Sequence, residues 1–548
     1  MRTLENALVD HELITLRVIG EWWELDLTGA DKTACVKALA QTLQELDLSL
    51  ELSYLPPEDG AALRDLVAAG GKMPVGTFSR QHGEVRQMGP AKMEREEPWF
   101  EPVSPAEALW YRGLLYRNFD EAEAGEFVEY YYLPQELYET FPEVEKAEAV
   151  MVKERPLAPA EPPETFDAAT ASAVDDLTTC LAFAQREGLA RGALPSLSPY
   201  LYNSLVDRTL LLVTVAEEKG LLREGNGSFK PARPAIGWLK QEREAQLRAL
   251  ADAWSSSSWN DLCHTPGLQC EGSGWTNDPI AARTALLDAL PRDQAWYGIE
   301  ALGTYVKEID PDFQRPEGNY DTWYIRDEGS DAYIKGFENW EMVEGRLLRF
   351  LLEGPMHWLG LTDVGEGKYR LTERAIAWLA DEAPNGAGVQ VPLVVQPDAG
   401  ILVPHNASRY QRFQVARIAD AEPLQPGQPY LYRLSPRSLA QGRAEGIEPE
   451  RVLQFLQEAS GRPLPASVRR AVERWAEHGL EGRLQPAIIL RVRNAEILDK
   501  LQDNSRTRSL IGERLGDLAA VVRGDRWQEL QQVTAELGLL LDIEEDEQ

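Results

Sequence analysis

Apolar positions along this chain recur at helical spacing over most of its length, broken at intervals by short β-prone runs. Leu4, Leu8, Leu13, Leu16 and Ile19 mark one helical region, and a second helix fits from Asp31, an N-cap residue, to about Leu46. Pro56-Pro57 stops that pattern, so residues 1–57 read as an N-terminal helical region. From 58 to 141 the pattern predicts a helix over Ala61–Ala69 closed by Gly70-Gly71, and a short helix over Val75–Gln81. Ser104-Pro105-Ala106-Glu107 is a helix start: hydroxyl cap, Pro at the first helical position, Glu at the third. The helix it opens should carry Leu109, Trp110, Leu114, Leu115 and Phe119, and Glu126–Leu133 is β-prone. Helices followed by a short hairpin make 58–141 winged-helix-like.

Residues 142–170 are rich in Pro, Glu and Ala, a composition that buries no core and reads as an acidic linker. In 171–250, helices over Ala171–Arg186 and Ser204–Lys219 precede two short runs around Glu224-Gly225-Asn226-Gly227, again winged-helix-like. Residues 251–385 are mixed. They end in a third such pattern: a helix over Glu344–Glu353, then short strands bracketing Gly365-Glu366-Gly367, then a helix capped by Thr372. The recurrence is of architecture, with no regular period. From 386 to 548 the pattern changes. Val391–Gln396 and Gly400–Val403 read as strands, Tyr410–Ala419 as a helix and Tyr430–Leu434 as a strand. Helices fit Pro436–Glu445, Glu448–Ser460 and Ala466–Glu477, followed by a strand over Ala487–Val492. The remainder reads as helical, apart from a strand-like Leu539–Ile543. The fold class is therefore α+β, mostly helical: several winged-helix-like modules followed by a C-terminal α/β domain.

Charge sharpens this picture. The chain of 548 residues carries a formal charge of −33. Residues 120–164 hold 13 Asp and Glu against 3 Lys and Arg, whereas 405–530 hold 16 against 20, a local net of +4. Everything outside the latter stretch carries −37, the difference between −33 and +4. A duplex is a polyanion, so the acidic front should be repelled by nucleic acid or attract a basic partner. No apolar run reaches the length of a membrane helix, and Met1-Arg-Thr-Leu-Glu-Asn does not read as a signal peptide. Four cysteines make no disulfide framework. A cytoplasmic protein is expected, with association with the nucleoid as a variant.

Catalytic chemistry finds no foothold in the motifs. Gly70-Gly71-Lys72-Met73 lacks the spacing and the hydroxyl of a phosphate loop. Asp381-Glu382-Ala383-Pro384 resembles a helicase acidic box, but it follows a helix instead of a buried strand. Cys263, His264 and Cys270 form one Cys/His cluster, which needs a fourth ligand for zinc and reads better as buried or loop thiols. No serine sits in a nucleophile elbow and no His-Glu-x-x-His occurs. No catalytic residue, metal or cofactor is expected.

The C-terminal third resembles the N-terminal domain of the XPB/Ssl2 family of DNA repair and transcription helicases. The resemblance runs through Leu393-Val-Val-Gln-Pro-Asp, Tyr432-Arg-Leu-Ser-Pro-Arg-Ser-Leu, Gly446-Ile-Glu-Pro-Glu-Arg-Val-Leu-Gln-Phe-Leu and Ser460-Gly-Arg-Pro-Leu-Pro. Ala108-Leu-Trp-Tyr-Arg-Gly-Leu also looks like bacterial helicase-associated proteins of this group, in which an XPB-like end occurs without motor domains. More distantly, the layout is similar to the TFIIH subunit that recruits XPB. The resemblance implies protein docking near DNA. It transfers no catalytic residue.

The function expected is that of a non-catalytic adaptor or accessory protein of a helicase, repair or transcription complex, docking onto a helicase or nuclease motor. Tyr432, Arg433, Arg437, Ile447 and Phe455 are the candidate docking residues, with edge pairing by Val391–Gln396 assisting. Arg86, Arg409, Arg412, Arg491 and Arg493 are the candidate nucleic-acid contacts, the last four giving the C-terminal domain a route to DNA. Two alternatives compete with this reading: a winged-helix DNA-binding regulator, and an acidic DNA-mimicking inhibitor of a basic partner. Oligomeric state is not legible.

Overall fold

The computed structural model describes residues 2–121, 127–141, 157–315, 318–384, 388–478, 487–524 and 526–542. Most of the expected linker, 142–156, and the end of the expected strand at Ile543 lie outside them. The fold is mixed α and β and mostly helical, with several small separate sheets. It divides into two compact units, Met1–Val468 and Arg469–Gln548.

The first unit opens with helices Leu4–Val9, Leu13–Trp22, Lys32–Gln44, Leu48–Tyr54 and Pro57–Ala68 around one core, to which Leu8, Leu16, Ile19, Leu39 and Leu63 belong. Asp31 caps the third, accepting from the Ala34 amide at 2.8 Å. The two prolines start a helix as well as interrupting the pattern. Pro57 takes the first helical position, where a missing N–H has no partner to lose.

Next comes a sheet of order β1-β3-β2, formed by β1 (Lys72–Pro74), β2 (Tyr116–Glu121) and β3 (Phe127–Tyr132). The helix opened by Ser104 ends at Tyr111 and does not reach Phe119. Gly113, at φ 70°, turns the chain where a Cβ would come within 2.9 Å of Ile19 Cγ2. Phe119 consequently lies in β2, paired with Glu129.

Helix Ser172–Glu187 is buried along most of its length. Helix Val206–Glu218 leads into the hairpin of β4 (Leu222–Gly225) and β5 (Ser228–Pro231). Its turn residues Asn226 and Gly227 both have positive φ, as a tight two-residue turn between twisted strands requires. Strand β6 (Leu268–Cys270) pairs with β8 (Ile325–Asp327). The helical run 341–356 precedes the second such hairpin, β9 (Thr362–Gly365) and β10 (Lys368–Leu371), turning at Glu366-Gly367. Strand β7 (Tyr297–Gly298) joins β10 as a third strand, and Thr372 caps the helix Glu373–Leu379.

Cys263 and Cys270 form a disulfide, which corrects the expectation of free thiols. The chain between them turns from a short 3₁₀ helix, Asp261–His264, into β6, and so brings the two sulfurs together. The other two cysteines, Cys35 and Cys180, are free and buried.

The first unit closes on a sheet of order β11-β12-β14-β13. It consists of β11 (Val394–Val395), β12 (Gly400–Val403), β13 (Asp420–Ala421) and β14 (Tyr430–Arg433), with helices Arg409–Ile418, Pro436–Ala444 and Pro449–Ser460. The elements expected between 386 and 478 are present within a few residues of their expected ends. The first expected strand, Val391–Gln396, shortens to two residues.

In the second unit, β15 (Ile488–Arg491), β16 (Ile511–Gly516) and β17 (Ala519–Val522) form a sheet of order β15-β17-β16. Leu490, Leu498, Leu501, Leu510, Ala520, Val522 and Leu530 make its core. The hairpin of β16 and β17 replaces part of the helix expected there. Gly512 and Gly516 disfavour helix, and the β-branched Val521-Val522 suits a strand.

Candidate docking surface

Helix Arg409–Ile418 packs on helix Ser172–Glu187, and the two share a network of buried charges. Arg409, 4 % exposed, donates from Nε to Gln246 Oε1 at 2.9 Å. Arg412, 3 % exposed, donates to the Asp175 carbonyl and to Thr179 Oγ1, and its guanidinium lies 4.0 Å from the centre of the Tyr430 ring. Asp175 is paired with Arg243 at 2.5 Å, and Arg243 also donates to the His405 carbonyl at 2.6 Å. Asp176 and Arg208 form a fully buried pair at 2.5 Å. Burial pushes the Asp176 carboxyl up, opposed by the Arg208 charge and by the amides of Tyr202 and Asn203. Burial likewise pushes the Tyr430 hydroxyl upward.

Arg409 and Arg412 are therefore internal fasteners, which corrects their expected place at a nucleic-acid surface. A buried guanidinium already held by protein acceptors cannot meet a phosphate without opening the helix packing. Arg86 needs a correction too, on engagement instead of burial, since 34 % of its side chain is exposed. Its Nε and Nη2 grip Glu107, a carboxylate without exposed surface, at 2.9 and 2.7 Å, and Nη2 also donates to the Glu101 carbonyl. Arg80, a nearby basic residue, is held by Asp312 at 2.5 Å with its guanidinium 4.4 Å from the Phe337 ring centre. Arg491 and Arg493 are exposed and take part in no ion pair among the described residues.

The docking residues divide by burial. Tyr432 is a core residue of β14, 6 % exposed, opposite Ile401 and Ala421. Arg433 is exposed and shared between Glu422 at 3.2 Å and Asp398 at 3.5 Å. Arg437 stands exposed in the first turn of helix Pro436–Ala444, with no ion pair among the described residues. That helix opens with a capping box of Ser435 and Ser438, which fixes how the chain leaves β14. Strand, cap and helix thus bring Tyr432, Arg433 and Arg437 into one corner. Ile447 is half-buried, with its Cβ 4.0 Å from where a Cβ on Gly442 of that helix would stand, whereas Phe455, also half-buried, belongs to the next helix. Strand β11 lies at one edge of the sheet, with Val394 exposed.

Three participants at this corner escaped sequence reasoning. Arg186 donates to Asp420, to Gln441 Oε1 at 3.0 Å and to the Ala419 carbonyl, and so ties helix Ser172–Glu187 to β13. Phe183 and Tyr200 lie beside it with ring centres 4.9 Å apart, tilted 49° to each other. The partners of Arg186 are more than 200 residues distant, and nothing local announces them. Among the described residues no group of three His, Cys, Asp or Glu is placed to hold a metal. No described helix is long and apolar enough to cross a membrane.

Comparison with known proteins places this surface in a helicase-related stretch. Residues 393–516 match the family described as the helicase conserved C-terminal domain, a range that contains every candidate docking and nucleic-acid residue except Arg86 and the first two residues of the 391–396 edge. The chain is also 28 % identical over 153 residues to a protein of Kineococcus radiotolerans named DNA 3'-5' helicase XPB. That similarity covers 27 % of this chain and 27 % of the relative, so the chain spans about a quarter of the length of the curated protein it matches.

Proposed function

We propose that this protein is a non-catalytic accessory factor in a helicase-linked DNA transaction, repair or transcription, and that it works by docking onto a protein partner. The partner class is a helicase or nuclease motor. The observation that carries the reading is the contrast within the helicase-related stretch. Its interior arginines, Arg409 and Arg412, fasten the sheet to the preceding helices, while Arg433 and Arg437 stand exposed at the corner where β14 passes into the next helix. The two helix–hairpin units, ending at β5 and β10, are read as winged helices that serve as a scaffold. Their surroundings are acidic, which favours protein over duplex as what they touch.

A second reading, direct DNA contact through the C-terminal unit, draws on the exposed and unpaired Arg491 and Arg493. Fluorescence anisotropy with labelled duplex and single-stranded DNA, at low and at physiological salt, separates the two. The docking reading expects no saturable binding by the full chain at physiological salt. Tight binding with steep salt dependence, lost in Arg491→Glu with Arg493→Glu, would replace it with the DNA-contact reading.

A further inference from the structure

Between helix Ser172–Glu187 and edge strand β13 lies a cleft of about 210 Å³, with Ala182, Phe183, Tyr200 and Leu424 among its walls and Arg437 and Glu187 among its charged residues. We propose that this cleft is a peptide-binding site, taking an extended segment of a protein partner in which an apolar side chain neighbours an acidic one. The proposal rests on the docking reading above and assigns it a place and a ligand.

Three features converge on that ligand. The first is an open backbone. The Glu422 amide donates to the Leu431 carbonyl at 2.9 Å, and Asp420 faces Arg433 across the ladder. In an antiparallel ladder the outward and inward groups alternate, so Ala421 directs its N–H and C=O away from β14. Ala421 lines the cleft, and neither group finds a hydrogen-bond partner among the described residues. One residue of an extended chain can satisfy both, as in strand addition to a sheet edge.

The second feature is an apolar wall. Phe183 and Tyr200 present a tilted pair of rings beside Ala182, and the volume suits one apolar side chain better than a broad surface. The third is charge. Arg186 and Asp420 satisfy each other, and Ser435 Oγ donates to Asp420 at 2.8 Å, so neither is free for a ligand. Glu422 is engaged by Arg433. Arg437 lines the same cleft, exposed and without an ion pair among the described residues, so it is the cation available to a carboxylate of the incoming chain. Glu187, exposed and also without an ion pair, repels a second carboxylate on its own side and limits the acidic residue to the side of Arg437.

The test uses the full chain and two capped heptapeptides with a central photoreactive leucine analogue, one flanked by Asp and the other by Lys. Cross-linked residues are mapped by mass spectrometry. The proposal expects the Asp peptide to label residues 179–187 and 420–424 in preference to the Lys peptide. Arg437→Glu should lower that yield by about tenfold, the scale of one lost charge-assisted contact. Ala182→Phe, which fills the cleft, should abolish it. Equal labelling by both peptides, labelling scattered over the surface, or labelling untouched by Arg437→Glu overturns the proposal. Arg437 is exposed, so that variant decides the matter even if Ala182→Phe does not fold. Failure here with a motor still captured by the wild-type chain sinks the cleft and spares the docking reading. Labelling as expected, with no motor captured, upholds the cleft and sinks the assignment of its partner.

Discussion

Acid should loosen the N-terminal helices through a single histidine. His11 is 5 % exposed, with its ring edge-on to Trp110 at 4.6 Å between centres and 5.2 Å from Tyr116. Its Nε2 has no hydrogen-bond partner among the described residues. Burial, reinforced by the Lys32 charge, holds the imidazole at about 4, against an ordinary 6.5. A folded value below the unfolded one means that the unfolded chain binds the extra proton first. Stability from this site is complete above pH 6.5 and falls as pH drops toward 4. The separation corresponds to roughly 3 kcal/mol once both states are protonated, and to about 2 kcal/mol at pH 5. His11→Leu removes the titration and keeps an apolar side chain of similar size. Hydrogen exchange of peptides spanning 4–22, corrected for intrinsic rates, reads the local opening energy at pH 7, 6 and 5. The wild-type chain should lose protection over that range more steeply than the variant. Equal losses in both would show that the buried imidazole does not control acid opening.

Other sites give equally definite outcomes. Asp176→Ala strands the buried Arg208 and should lower unfolding stability by about 3–5 kcal/mol, measured by urea titration of the full chain. Arg86→Glu sets a second carboxylate against buried Glu107, so it should destabilise the 58–141 region in thermal unfolding and leave DNA binding unchanged; loss of DNA binding with unchanged melting would restore Arg86 to the surface role. The Cys263–Cys270 bridge closes a short loop, with a sequence separation of 7, and its removal by Cys263→Ser with Cys270→Ser should cost about 2 kcal/mol. Alkylation of the unfolded, unreduced chain should modify two cysteines, and four after reduction.

Local pattern carried much of the fold. The hairpin turns at Asn226-Gly227 and Glu366-Gly367, the caps at Asp31, Ser104 and Thr372, and the helices between 409 and 478 all rest on interactions within a few residues. Such interactions are written in local composition. What failed depended on distant partners. The helix from Ser104 stops because Gly113 packs on Ile19 and Tyr116 pairs with β3. The 511–522 hairpin is the exception, since its strands pair locally and Gly512 and Gly516 already disfavour a helix.

The candidate sites show the same division. Arg433, Arg437, Arg491 and Arg493 are exposed, Arg433 and Arg491 despite apolar neighbours in their strands. Arg86, Arg409 and Arg412 look identical in sequence, and only tertiary structure brings Glu107, Gln246 and Asp175 to them. The 386 boundary is a case with practical force. Cutting the chain there would remove Arg409 from Gln246 and Arg412 from helix Ser172–Glu187, and uncover that helix, so surface substitutions are the cleaner probe.

The central claim, that this protein acts through docking at the β14–Arg437 corner, is tested most directly by quantitative affinity capture. The full-length chain and its Arg433→Glu, Arg437→Glu double variant would be compared in lysates of the native cell, with and without nuclease. The account predicts a helicase or nuclease motor enriched by the wild-type chain, retained after nuclease treatment, and reduced at least about tenfold by the double variant, the effect of roughly 1.4 kcal/mol. Enrichment of the motor that the double variant leaves untouched, or that vanishes when nucleic acid is digested, would contradict it.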